Sequence, residues 1–183
     1  MIDPGERLEN PVTGEVLVFH RTSAQTDGEE VSVEVMVHPH GFVAAAHVHP
    51  YQTERFEVLE GRLGLRFTVQ VRPALRFESL IETMFTLAAE GKTNRKGLPN
   101  PLRLAVIAQA HFDTVRFPFP PAPLQRAALA LAVPLGKTLG YRATVTRPRS
   151  PETVRPHGRP IRTYERGRPH KTGPALESRR PPR

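Results

Sequence analysis

Hydrophobic and polar residues alternate along short stretches in the first part of the chain, which is the pattern of β-strands with one buried face. The clearest stretch covers residues 62–72, and the phase of its alternation does not break. Shorter stretches with β-branched and aromatic residues predict further strands over 14–20, 31–38, 42–48 and 55–60. The sequence therefore predicts a mainly β region before residue 73. The apolar side of the clearest stretch consists of Leu63, Leu65, Phe67, Val69 and Val71.

The pattern changes to a helical period after residue 76. Apolar residues then recur at spacings of three and four from Phe77 to Ala88, and this stripe stops at Gly91, which predicts one amphipathic helix. Asn100 and Pro101 are typical of an N-cap and a first turn, so they predict a second helix through about residue 110. A third helix is predicted near 123–135, weakened by Pro134.

One stretch between two predicted strands carries candidate chemistry. His47 and His49 are two residues apart, so alternation places both on one face of a strand. Glu54 follows a turn at Pro50, and the next strand can return it to the same face. Two imidazoles and one carboxylate form a ligand set that leaves positions open on a first-row divalent metal ion.

The segment from Gly41 to Gly61 resembles the first conserved motif of the cupin superfamily, G-x5-H-x-H-x4-E-x6-G. All five fixed positions match, at Gly41, His47, His49, Glu54 and Gly61. The resemblance implies a cupin-like antiparallel β-barrel or jelly roll. It also implies a divalent metal, usually Mn, Fe, Ni or Zn, held by His47, His49 and Glu54. The predicted helices look like the C-terminal extension of certain bacterial cupins.

The second cupin motif, G-x5-P-x-G-x2-H-x3-N, is absent. Near Pro134 the P-x-G core is present, but Leu139 stands where its histidine is needed, and after Pro156 that place is taken by Ile161. The barrel is therefore expected to be shortened and incomplete, and we hypothesise that an internal block was lost within 62–72. Substitute ligands or polar groups could come from four nearby residues, namely His38, His40, Tyr51 and Gln52.

Two functions remain open from the sequence. The first is a mononuclear metal protein that binds or transforms a small molecule, for instance a polar or sugar-like substrate. The second is a non-catalytic, degenerate cupin that serves as a small-molecule-binding or oligomeric scaffold domain without metal, and the absent second motif favours it. Few strands leave open edges, so we expect a homo-oligomer or edges that the helices cover.

Charge divides the chain into two parts. Residues 147–183 hold eleven Lys and Arg and three acidic residues, whereas residues 1–146 hold fifteen of each. The end of the chain is also rich in proline and poor in apolar residues, a composition typical of disorder. We predict a cupin-like β domain at 1–73, a helical extension at 74–141 and a disordered Arg/Pro-rich tail at 142–183. Because no nucleic-acid-binding motif accompanies the tail, we do not expect nucleic-acid binding.

Other features restrict the setting and exclude two motifs. The chain has no Cys, which fits a reducing, cytoplasmic location, and neither a secretory signal nor a membrane span is expected. Gly91 and Gly136 each begin a Gly-Lys-Thr triplet, but the glycine that a phosphate-binding loop needs five residues earlier is missing both times. His111 could be a catalytic base, although a lone His at a helix end is more often exposed or capping.

Overall fold

The computed structural model describes residues 2–38, 46–60 and 66–147. Met1–Pro148 forms one compact unit. The predicted tail therefore lies outside the described residues except for its first part, 142–147. In that part the backbone N–H of Val145 donates to Oγ1 of Thr83 at 3.1 Å. None of the helices in these described ranges is long and apolar enough to cross a bilayer.

Five antiparallel strands form one sheet in the order β1-β2-β3-β5-β4. β3 and β5 pair in one continuous register, with Val33 opposite Val69. β4 pairs with β5, so that Glu54 lies opposite Val71. In the described part of the chain β1 and β4 are the edge strands. The strands are β1 Arg7–Glu9, β2 Val16–Arg21, β3 Val31–Met36, β4 Thr53–Glu60 and β5 Arg66–Arg72.

The hydrophobic core follows the alternation of the strands. Val69 and Val71 on β5 are buried, in agreement with the predicted apolar side of this stretch. The neighbouring strands add residues of the same parity to the same face, and α1 adds two phenylalanines. The mainly β interpretation with C-terminal helices is thus confirmed at the level of a sheet and three helices. The core includes Leu17, Phe19, Val31, Val33, Val35, Phe77 and Phe85.

Strand predictions differ from the structure at two places. The short strand β1 was missed, since three residues are too few to display a period. The predicted strand at 42–48 lies mostly outside the described residues, and within it Val48 forms an isolated antiparallel bridge to Arg116. From Arg66 onward the predicted strand at 62–72 is continuous β5; residues 61–65 lie outside the described part.

The three helices begin and end close to the predicted positions. They are α1 Phe77–Ala89, α2 Pro101–Ala110 and α3 Ala122–Thr138. Oδ1 of Asn100 accepts a hydrogen bond from the backbone N–H of Arg103 at 3.0 Å, so the predicted N-cap of α2 is confirmed. α3 continues through Pro134, the residue that was expected to weaken it.

The glycines of the two Gly-Lys-Thr triplets have structural uses. Gly91 adopts a φ of +67° after α1, a conformation that ends many helices and favours glycine. Gly136 lies where α3 approaches α2, and a Cβ there would come within 2.9 Å of the carbonyl oxygen of Leu102. Gly91 therefore serves to end a helix, and Gly136 serves the packing of two helices.

Candidate metal site and its cavity

The structure brings the three predicted ligand residues together. Potential ligand atoms of His47, His49 and Glu54 all lie within 4.8 Å of one another, the only such group of three found among the described residues. Nε2 of His47 is 3.1 Å from Nε2 of His49, and Oε2 of Glu54 is 3.6 Å from the same His49 nitrogen. His49 and Glu54 are partly buried, whereas His47 is exposed.

His49 is held in place by its other ring nitrogen. Nδ1 of His49 lies 2.7 Å from the carbonyl oxygen of Thr114 and 3.0 Å from Oε1 of Gln52. A carbonyl oxygen can only accept, so Nδ1 carries the proton and donates it. In the neutral ring, Nε2 then presents its lone pair towards His47 and Glu54, which is the orientation of a metal-ligating histidine.

The side-chain amide of Gln52 helps to orient the ring of His49. Its Nε2 donates to the carbonyl oxygens of Pro73 at 2.7 Å and Ala74 at 3.1 Å, while its Oε1 faces His49. The Nε2 end of the amide is therefore fixed by the chain that follows β5, and the Oε1 end is directed at His49. The sequence pointed to Gln52 as a further polar group near the site, and the contacts indicate a positioning role.

The helical region supplies a wall behind the histidines. Val48 exchanges two backbone hydrogen bonds with Arg116, at 2.8 Å and 3.0 Å, and Thr114 provides the carbonyl that holds His49. Thr114 and Arg116 lie between α2 and α3, more than sixty residues from the histidines in the chain. No local pattern marks Thr114 or Arg116, so the sequence analysis missed them.

A fourth ligand does not join the three within the described residues. His38 is exposed, Tyr51 is 65% exposed, and His40 lies outside the described part. Pro134 and Gly136, which resembled the core of a second motif, are in α3. The position that would need a histidine is Leu139, 56% exposed.

A cavity of about 560 Å³ adjoins the three residues. It lies between the inner face of the sheet and the three helices, and His47, His49 and Glu54 are part of its wall. Apolar side chains from both layers dominate the lining, including most of the apolar stripe of α1. Examples are Val35, Val69, Leu80, Ile81, Met84 and Leu104.

Glu15 is a titratable group of this cavity that the sequence analysis missed. Glu15 is part of the wall, and burial raises the pKa of its carboxyl group to about 7. Glu15 precedes Leu17 and Phe19 on the inward parity of β2, so alternation extended by one step could have identified it.

His111 has a structural environment. It is the C-cap residue of α2, as the capping alternative predicted. It is fully buried, so the exposed alternative is wrong. Nδ1 donates to the carbonyl oxygen of Ile107 at 2.9 Å, and Nε2 can accept from Oγ of Ser79 at 3.2 Å. Burial lowers the pKa of His111, and the charge of Arg76 adds to this effect.

Comparisons with protein-family models, with curated proteins and with solved structures found no match for this chain. The resemblance to cupins rests on the five motif positions, of which Gly41 and Gly61 lie outside the described residues.

Proposed function

We propose that this chain is a cupin-like protein that binds a divalent first-row metal ion through His47, His49 and Glu54, and binds or transforms a small molecule there. The observation that carries the proposal is the fixed orientation of His49. Its Nδ1 is held by the Thr114 carbonyl, so its Nε2 points at the other two donors.

Two of the three donor separations fit a shared ion. Nitrogen and oxygen ligands lie about 2.0–2.2 Å from such an ion, so neighbouring ligands in octahedral or tetrahedral geometry are about 3–3.6 Å apart. The separations of 3.1 Å between the two Nε2 atoms and 3.6 Å between His49 and Glu54 fall in this range. Imidazole with carboxylate suits Mn, Fe, Ni or Zn.

The residues around the three ligands support this use. A bound divalent ion would act as a Lewis acid towards an oxygen of the small molecule. Thr114 and Gln52 keep His49 in one tautomer and one orientation, which raises the basicity of the ligand nitrogen. The apolar wall beside the site limits the access of water and positions the small molecule next to the three donors.

Metal analysis of purified variants tests the proposal. The full chain should carry close to one ion, and His49→Ala or the His47→Ala/His49→Ala double variant should lose at least tenfold in metal content. His20→Ala is the matched control, because it removes an exposed imidazole on β2 that lies outside the group of three. Equal metal content in the wild type and the double variant would eliminate the proposal.

A second candidate is a non-catalytic, degenerate cupin without metal. The separation of 3.1 Å between the two histidines is also a hydrogen-bond distance. With the proton of His49 on Nδ1, its Nε2 can accept a hydrogen bond from Nε2–H of His47. This pairing accounts for the same geometry with no ion, and absence of metal from the wild type after addition of Mn, Fe, Ni and Zn salts would favour it.

We also propose that the chain forms a homo-oligomer through β4. Val58 and Leu59 on this edge strand are 56% and 46% exposed, and exposed apolar edges favour pairing with another chain. Sedimentation should then give a species heavier than the 20.4 kDa monomer, and Val58→Lys should shift it to monomer. Val12→Lys, which alters another exposed apolar residue, should leave it unchanged. A monodisperse wild-type monomer would contradict the proposal.

A further inference from the structure

The cavity beside the three ligands extends well beyond the space that they border. Its lining reaches from Glu54 on β4 to Glu15 at the start of β2. β4 and β2 are separated by β5 and β3, so three strand spacings of about 4.8 Å place the two ends roughly 14 Å apart across the sheet. The volume of about 560 Å³ is that of a small-molecule pocket.

Two of the polar side chains on the wall already have hydrogen-bond partners. Oδ1 of Asn10 accepts from the backbone N–H groups of Val12 and Thr13. Nε2 of Gln125 donates to the carbonyl oxygens of Phe117 and Pro120. A sugar placed against the apolar side chains that make up most of this wall would lose hydrogen bonds to water, which is costly.

Glu15 indicates independently that the far end is poor in water and in partners. Burial is the cause of its raised pKa. In the described part of the chain its carboxyl group makes no hydrogen bond or ion pair. Burial therefore disfavours the charged form of Glu15 at this end, and the apolar side chains of the wall accept an apolar group.

We propose that the cavity binds an elongated apolar molecule, an alkyl chain with one small oxygen-bearing head group, whose head lies at His47, His49 and Glu54. The position of the head rests on the proposed metal function, whereas the binding of the chain does not.

Calorimetric titration of the full chain with straight-chain primary alcohols tests this inference. From hexanol to decanol, each added methylene should strengthen binding about two- to fourfold, until the chain fills the cavity. Glucose is the polar probe and should not bind. Affinity that is independent of chain length, or glucose binding as tight as that of the alcohols, would overturn the inference.

A cavity-filling variant tests whether decanol binds inside the cavity. Ala108 of α2 lines the cavity, so Ala108→Phe should weaken decanol binding at least tenfold. Ala130→Phe makes the same change on the exposed face of α3 and should leave binding as in the wild type. If Ala108→Phe does not fold, the smaller change Ala105→Leu, at another lining position, should shorten the longest alcohol that binds. Unchanged binding in a folded cavity variant would overturn the inference.

The titrations also separate this inference from the metal proposal. The His47→Ala/His49→Ala variant should lose metal but still bind decanol, because the alkyl wall is intact. Decanol binding by a wild type that carries no ion would refute the metal proposal alone. Metal in the wild type without decanol binding would refute the alkyl ligand alone.

Discussion

Two acidic residues, each directly before a strand of the sheet, have opposite surroundings. The side chain of Glu30 is 4% exposed and forms ion pairs with Nη1 of Arg21 at 2.6 Å and Nε of Arg72 at 2.5 Å. Glu15 lies on the cavity wall, where no cation faces it among the described ion pairs, and burial raises its pKa to about 7.

The topology of the sheet explains the difference. Glu30 directly precedes β3, Arg21 ends β2 and Arg72 ends β5. These three strands are antiparallel neighbours, so the end of β2, the start of β3 and the end of β5 lie side by side. Two guanidinium groups therefore flank one carboxylate. Glu15 lies at the start of β2 and faces the cavity. A paired acid holds strand ends together, whereas an unpaired acid on a cavity wall is typical of a functional surface.

Removing both partners of Glu30 would turn it into a second unpaired acid. The Arg21→Met/Arg72→Met double variant leaves a buried carboxylate with no counter-charge, so we expect a loss of about 3–5 kcal/mol in the free energy of unfolding at pH 8. Urea unfolding at pH 8 measures it.

Arg7→Met/Lys92→Met is the matched control for this prediction. It removes two cations from the exposed ion pairs with Glu9 and Glu90, which contribute about 0–1 kcal/mol each. Equal stability of the two double variants would mean that the guanidinium groups do not hold the strand ends.

Local pattern predicted those parts of the molecule that local physics determines. The strand period gave the buried side of β5 at Val69 and Val71, and Asn100 with Pro101 gave the start of α2, because capping and alternation involve residues close in the chain. The spacing of His47, His49 and Glu54 also predicted their convergence, since only a short turn separates the two histidines from the start of β4.

Contacts between distant segments could not be predicted in this way. Thr114 reaches His49 across sixty-five residues, and Arg72 reaches Glu30 across forty-two. Both contacts depend on how the helices and strands pack, which no period encodes. The apolar cavity has the same origin, because Leu80 and Ile81 belong to a stripe that the sequence assigns to helix packing as readily as to a ligand wall.

Replacing Glu15 should change the free energy of unfolding less than replacing Arg21 and Arg72 does, and with the opposite sign. The pKa of Glu15 is about 7 in the folded chain and 4.5 as an ordinary glutamate, so between these values the folded state binds more protons than the unfolded state. The free energy of unfolding therefore falls as pH rises from 4.5 to 7 and is constant above. Allowing for partial exposure, the charge costs on the order of 2–3 kcal/mol at pH 8.

Glu15→Gln keeps the shape and removes this charge, so it should stabilise the chain by about 2–3 kcal/mol at pH 8 and by less than about 1 kcal/mol at pH 5. The difference between variant and wild type cancels the titration of the other groups. Glu29→Gln, a change at an exposed position, should give no such difference. A gain in the free energy of unfolding that is the same at both pH values would mean that the Glu15 carboxyl group is solvated like that of Glu29. Glu15 would then differ from Glu30 only in being an exposed acid without partners, whereas Glu30 is a buried acid with two.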